Sequence, residues 1–145
     1  MKLLDANILL YAYDSSSAHH PACRAWLESA FNTEETVALP WQTLLAFVRI
    51  ATNPRAVRRP LSGPQACEIV STWLERANVA VVGAGERFWE IFRAQVIEAQ
   101  VTGPLITDAA LAALALEHGA MLYSTDRDFR RFKDLKLSDP TQIGG

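Results

Sequence analysis

Short apolar runs alternate with longer stretches of helical periodicity along the chain. Met1-Lys2-Leu3-Leu4 is a bounded apolar run and reads as a buried strand. Asp5 closes it, and the stretch from Ile8 to Tyr13 starts a helix. After a serine turn at 15–17, apolar positions Ala22, Trp26, Leu27 and Ala30 recur at helical spacing. Thr36 to Leu39 reads as a second strand ended by Pro40, and Trp41 to Thr52 as a helix stopped by Asn53-Pro54. A third helix-to-strand pair follows, from Leu61 to about Ala77 and then Val79 to Val82. Glu86 to Ala99 reads as a helix, with Trp89 widening its apolar stripe. A connector at 100–106 leads to Asp108, which opens an alanine-rich helix over Ala109 to Glu117, with Gly119 as its C-cap. Met121 to Ser124 is a fourth strand. A short turn from Asp128 to Phe132 leads to an edge strand near Leu135 to Leu137, and Pro140 to Gly145 is a tail.

Strands that alternate with helices argue for an α/β fold with a largely parallel sheet of four or five strands and helices on both faces. The length of 145 residues suits a single domain over 1–145 with one sizeable core. Half of the chain is apolar, which excludes a disordered chain. A net charge of -2 points to no particular partner, although it leaves room for local basic patches. No run is long enough to span a bilayer, and the N-terminus lacks the form of a signal peptide. Cys23 and Cys67 form no CxxC pair and read as small buried apolar residues, which fits a reducing cytoplasm.

Three carboxylates change this picture. Asp5 ends the first strand, Asp108 opens a helix, and Asp126 follows the fourth strand with Asp128 two residues on. Strand ends on one edge of a parallel sheet converge, so these acids are placed to meet. Held close, like charges repel unless a cation neutralises them. Oxygen ligands without a Cys or His cluster suit Mg2+, with Mn2+ as a substitute. Such an ion can orient a water for in-line phosphoryl displacement. Each aspartate taken singly reads more readily as a helix cap. Asn7, Gln42, Thr107, Ser124, Thr125 and Asp128 are candidates for holding bound waters or fixing the acids. For the hydroxyl residues, local bonding to the backbone is the plainer role. Arg49, Arg127, Arg130 and Arg131 are candidate phosphate contacts, with a solvated surface as the competing reading. Arg55, Arg58 and Arg59 divide evenly between a phosphate patch and a solvated loop. Trp41 reads as core in preference to a stacking surface.

Five segments in order carry a family resemblance. They are Asp5-Ala6-Asn7-Ile8-Leu9-Leu10-Tyr11-Ala12, Leu39-Pro40-Trp41-Gln42, Phe47-Val48-Arg49-Ile50-Ala51-Thr52-Asn53-Pro54, Asp108 through Ala115, and Ser124-Thr125-Asp126-Arg127-Asp128-Phe129. Together they resemble the PIN-domain ribonucleases of VapC type. The resemblance implies a PIN-like three-layer α/β/α fold and a magnesium-dependent endoribonuclease acting on tRNA or other structured RNA. It also implies a VapB-type antitoxin partner and a homodimer, and it assigns the metal to Asp5, Asp108 and Asp126. Phe47, Trp73 and Phe92 are candidates for an antitoxin surface, with burial in the core an equal reading. The family usually carries a Glu where this chain has Ala46, which leaves one metal or two open and makes Gln42 a candidate stand-in through its amide oxygen. A PIN module that mainly binds its antitoxin and cleaves weakly or not at all is the alternative. A phosphotransfer domain fits poorly, because Asn7 breaks the Asp-x-Asp pair an aspartyl phosphatase needs.

Overall fold

The computed structural model describes residues 1–142; the end of the expected tail, 143–145, lies outside the described residues. The strands are β1 (Lys2–Leu4), β2 (Val37–Ala38), β3 (Val79–Ala80), β4 (Met121–Tyr123) and β5 (Leu137–Ser138). They form one all-parallel sheet in the order β3-β2-β1-β4-β5. The helices are α1 (Ala6–Tyr13), α2 (His20–Phe31), α3 (Trp41–Ala51), α4 (Gly63–Leu74), α5 (Phe88–Ala99) and α6 (Leu105–His118).

Strand alternation divides the core into two halves. Leu3, Ala38 and Leu122 are in register across the sheet and pack on the side of α5 and α6. Leu4 and Val37 point the other way, into the cluster built by α1 to α4. Both faces are therefore covered, as an all-parallel sheet requires. The chain winds from β1 to β2 to β3 in one direction, then returns past β1 to β4 and β5. That reversal leaves a crevice at the carboxyl ends of β1 and β4, where open α/β sheets place their ligands.

Local chemistry explains some helix ends. Ser62 and Gln65 form a reciprocal capping box at the start of α4. Gly119 ends α6 at φ 63, in the left-handed region. Most strands and helices are a few residues shorter or shifted against the sequence reading, and two of those boundaries have a local cause. Helix α6 begins at Leu105, not Ala109, because the turn at Gly103 (φ 58) hands over to Pro104 at φ -58, a value already suited to a helix. Strand β5 falls at Leu137–Ser138, two residues later than expected, after Asp134 adopts φ 67.

Burial also departs from the reading in several places. Cys23 is buried, but Cys67 is exposed on α4. Ala22 is exposed, and α2 buries Cys23, Leu27, Ala30 and Phe31 instead. Trp41 is not core. It is 55% exposed at the first position of α3, because its helix turns Thr43, Leu44 and Phe47 inward. Trp73 and Phe47 are buried and packed ring against ring at 4.7 Å, which removes both as an exposed partner surface. Trp89 is 67% exposed. Among the described residues no helix is long and apolar enough to cross a membrane.

One buried bond ties the fold to the crevice. Thr43 of α3 donates its hydroxyl to the Leu4 carbonyl at 2.7 Å, one residue before Asp5. Replacing Thr43 with Val keeps the shape but leaves the carbonyl without that donor. We expect Thr43→Val to cost about 1–2 kcal/mol in urea unfolding; an unchanged midpoint would show that the bond contributes nothing.

Candidate metal centre

The centre assembles from three remote stretches of chain. Asp5 follows β1 and is the N-cap of α1, accepting from the Ala6 N–H at 2.8 Å. Asp126 lies beyond β4 and caps the 3₁₀ turn Arg127–Arg131, accepting from the Asp128 N–H at 2.8 Å. The capping role foreseen for these two is therefore present. Asp108 is different. It stands in the first turn of α6, inside the helix and behind the N-cap Pro104, so it caps nothing.

Asp108, Asp126 and Asp128 each offer a carboxylate oxygen within 4.8 Å of the others. Asp128, read from sequence as a supporting residue, thus stands with the acids themselves. Asp5 is outside that mutual group but close enough for its charge to act on Asp108. Burial and then the charges of Asp126, Asp5 and Asp128 push the Asp108 carboxyl up to about 6, with Arg131 opposing. Burial raises Asp5 as well, against the hydrogen bonds from Ser124 and Ala6, while Asp126 adds to the rise.

Ser124 is the hub that orients the acids. It is 2% exposed, and its hydroxyl donates to Asp5 Oδ2 at 2.7 Å. The same oxygen accepts from the Asp126 N–H at 3.0 Å and from Asn7 Nδ2 at 3.3 Å. Asn7 Oδ1 in turn receives the Thr125 N–H at 3.5 Å. One serine therefore links the ends of β1 and β4, and Asn7 fixes it from α1. The Thr107 hydroxyl bonds within its own turn, donating to the Pro104 carbonyl at 3.0 Å.

A cavity of about 510 Å³ opens beside the acids, lined by Asp5, Gln42, Leu45, Ala46, Arg49 and Asp108 among others. Ala46, where an acid was expected by resemblance, is in its wall. Gln42 spans its mouth, donating from Nε2 to the Thr107 carbonyl at 3.2 Å, so its amide oxygen is the end left out of that bond. On the far side of Asp126 a smaller hollow of about 100 Å³ is lined by Ser124, Arg127, Arg130 and Asp139. Arg49, Arg127 and Arg130 therefore flank the acids on two sides. Arg131 is turned onto Asp128, with contacts of 2.9 Å to its carbonyl and 3.1 Å to its carboxylate. Arg58 and Arg59 line a separate cavity with Tyr13 and Asp14, at the opposite end of α1 from Asp5.

The donor set fits a hard divalent cation. Oxygens bound directly to one magnesium lie up to about 4.2 Å apart, twice its ~2.1 Å bond length. A spread of up to 4.8 Å therefore suits an ion that keeps part of its water shell. Only carboxylates make up the group, with no softer ligand among them.

The model of the PIN domain matches residues 2–135. The chain belongs to the PIN-domain family. Among curated relatives it is 38% identical to ribonuclease VapC37 of Mycobacterium tuberculosis, with 99% of each chain covered. It is 36% identical to ribonuclease VapC33 of the same species, over 97% of this chain and 98% of the relative. Within the PIN family it therefore sits among the VapC ribonucleases. A chain in the structure of VapBC2 from Rickettsia felis, bound to a fragment of promoter DNA, superposes with a TM-score of 0.71 at 17% identity, covering 95% of this chain and 97% of that one. Mycobacterium tuberculosis VapC20, a toxin that cleaves the sarcin-ricin loop, gives 0.67 at 14% identity, with 94% and 99% covered. At those identities the likeness is one of fold, and it agrees with the five-stranded parallel sheet.

The raised Asp108 carboxyl makes a statement about this PIN domain's stability without metal. Its ordinary value is 3.8 and its folded value about 6, so the folded state holds the proton more tightly. The stabilisation from that proton is complete below pH 3.8 and is lost as pH rises through about 6. Asp108→Asn removes the loss. In chelator we expect the variant to be more stable than wild type at pH 7, by on the order of 1 kcal/mol after allowing for solvent screening of a half-exposed group. The difference should vanish near pH 4, as read by thermal melts across that range. A variant less stable than wild type at pH 7 would show that the acids do not repel.

Proposed function

We propose that this chain is a metal-dependent endoribonuclease of VapC type, the toxin of a pair with a VapB-type antitoxin, and that it cleaves tRNA or another structured RNA. The observation that carries this is the cluster of Asp108, Asp126 and Asp128 beside Asp5, on a chain that aligns end to end with named VapC ribonucleases. The curated relatives are called ribonucleases, and structural neighbours are VapBC complexes, including that of Haemophilus influenzae.

Asp5 and Asp108 would hold the ion, with Asp126 and Asp128 as the carboxylates through which its waters are oriented. Magnesium, or manganese in its place, would supply positive charge against the crowded acids and make a bound water easier to deprotonate. Ser124 keeps Asp5 and the Asp126 backbone in one arrangement, so the site is organised before substrate arrives. Arg49 on one side and Arg127 with Arg130 on the other offset the acids and receive flanking phosphates. Asp126 orients the attacking water. The water oxygen bonds to phosphorus as the bond to the 3′-oxygen breaks; the water gives up a proton to solvent and the departing 3′-oxygen takes one from solvent, leaving a 3′-hydroxyl and a 5′-phosphate.

A second reading has one observation in its favour. Ala46 stands in the cavity wall where the family usually has Glu, so the site has one acid fewer to hold a second ion. On that reading the chain binds its antitoxin and cleaves weakly.

Metal binding and cleavage separate the two. We expect magnesium or manganese to raise the melting temperature of the wild-type protein; occupancy at a hundred times Kd corresponds to about 2.7 kcal/mol. Asp108→Asn should abolish that rise and reduce cleavage of total tRNA at least a hundredfold. Cleavage by the variant at the wild-type rate would remove Asp108 from the mechanism, and a wild type that binds metal yet leaves RNA intact would favour the binding module.

A further inference from the structure

Trp41, Leu45 and Arg49 stand four residues apart on α3, so they form one row on the helix surface. All three are exposed, Trp41 at 55% and Leu45 at 64%. Leu45 and Arg49 line the cavity that has Asp5 and Asp108 in its wall, and Trp41 continues their row one turn nearer the start of α3, beside Gln42, which also lines it. The row extends about 12 Å, or a few nucleotides at ~3.4 Å per stacked base.

Trp41 also differs from the other three tryptophans. Trp26 packs on the Tyr123 ring at 4.5 Å, Trp73 on Phe47 at 4.7 Å, and exposed Trp89 on Phe92 at 5.7 Å. Among the described residues Trp41 has no such ring partner. A largely exposed indole without a ring partner, in line with a cation and beside the acidic centre, matches how unpaired RNA is gripped. Bases stack on aromatic faces while basic side chains follow the backbone.

We propose that this row of α3 is a subsite for unpaired RNA, with a nucleobase stacked on Trp41, its sugar against Leu45 and a phosphate held by Arg49. The subsite deepens the ribonuclease reading and rests on it. It makes the enzyme require a splayed base near the cut, so a loop or single strand is taken and a continuous duplex is not.

The test measures binding of a fluorescently labelled single-stranded oligoribonucleotide, and of the same strand in a duplex. Asp108→Asn serves as the parent protein in magnesium buffer, so that the probe stays intact. Adding Trp41→Ala should weaken single-strand binding roughly tenfold. Trp41→Phe should restore most of it, and Trp41→Leu, which keeps apolar bulk without an aromatic face, should not. Arg49→Ala should weaken binding for every sequence and lower the salt slope by about one. Duplex binding should not respond to the Trp41 series. The Phe and Leu variants keep the test decisive where Ala unfolds the helix end. Equal affinity across the Trp41 series, or no binding by the parent, would overturn the proposal. So would a dimer, seen by light scattering, that dissociates in Trp41→Leu while RNA affinity per chain is unchanged; the row would then be a contact between copies. A parent that binds as expected, beside a wild type that fails to cut RNA, would keep the subsite and remove the ribonuclease reading.

Discussion

Carboxylates crowded together at the edge of an apolar sheet carry an electrostatic cost that the rest of the structure is arranged to hold in place. Asp108 feels Asp126, Asp5 and Asp128, and burial raises its proton affinity further. Chains relieve such crowding by letting side chains swing into water. Here that relief is restricted. Asp5 is held by Ser124 and the Ala6 N–H, and Asp126 by the Asp128 N–H, while α6 packs its alanines against the sheet and fixes the base of Asp108. The repulsion is therefore kept as a standing affinity for positive charge, which a divalent ion or the basic flanks can satisfy.

The fold supplies the rigidity this needs. β1 is the central strand of five, so Asp5 leaves the most constrained part of the sheet. Its neighbour β4 delivers Ser124 and Asp126 at the same edge, and the reversal of winding between them opens the crevice. The small side chains of α6 (Ala109, Ala112, Ala113, Ala115) let that helix sit close to the sheet and bring Asp108 in from the side. Basic residues arrive from α3, which carries Arg49, and from the 3₁₀ turn, which carries Arg127 and Arg130 along with Asp128. The site is thus negative at its middle and positive at its margins, a distribution suited to a polyanion that must meet metal at one phosphate only.

Several residues acquired their roles from position and not from type. Asp128 follows Asp126 so closely that its sequence suggests a cap, yet the tight turn brings its carboxylate round beside Asp108. Thr43 has no motif to mark it, but it ties α3 to the last carbonyl before Asp5. Trp41 shows the limit of periodicity most clearly. A tryptophan at the start of an apolar helix is expected inside, and only the rotation of α3 over the sheet turns it outward.

The alternation of short apolar runs with helical stretches was enough to read an α/β fold with a parallel sheet, because strand and helix periods differ and parallel strands need crossovers. The positions of Asp5 and Asp126 after strands, and of Gly119 after a helix, were legible for the same local reason. Which acids gather was not, since it depends on how the ends of β1, β4 and the first turn of α6 approach one another across more than a hundred residues of chain. Nor was the exposure of Trp41 and Cys67. Those follow from the angle at which each helix lies on the sheet, a property of the packed whole that no single segment encodes.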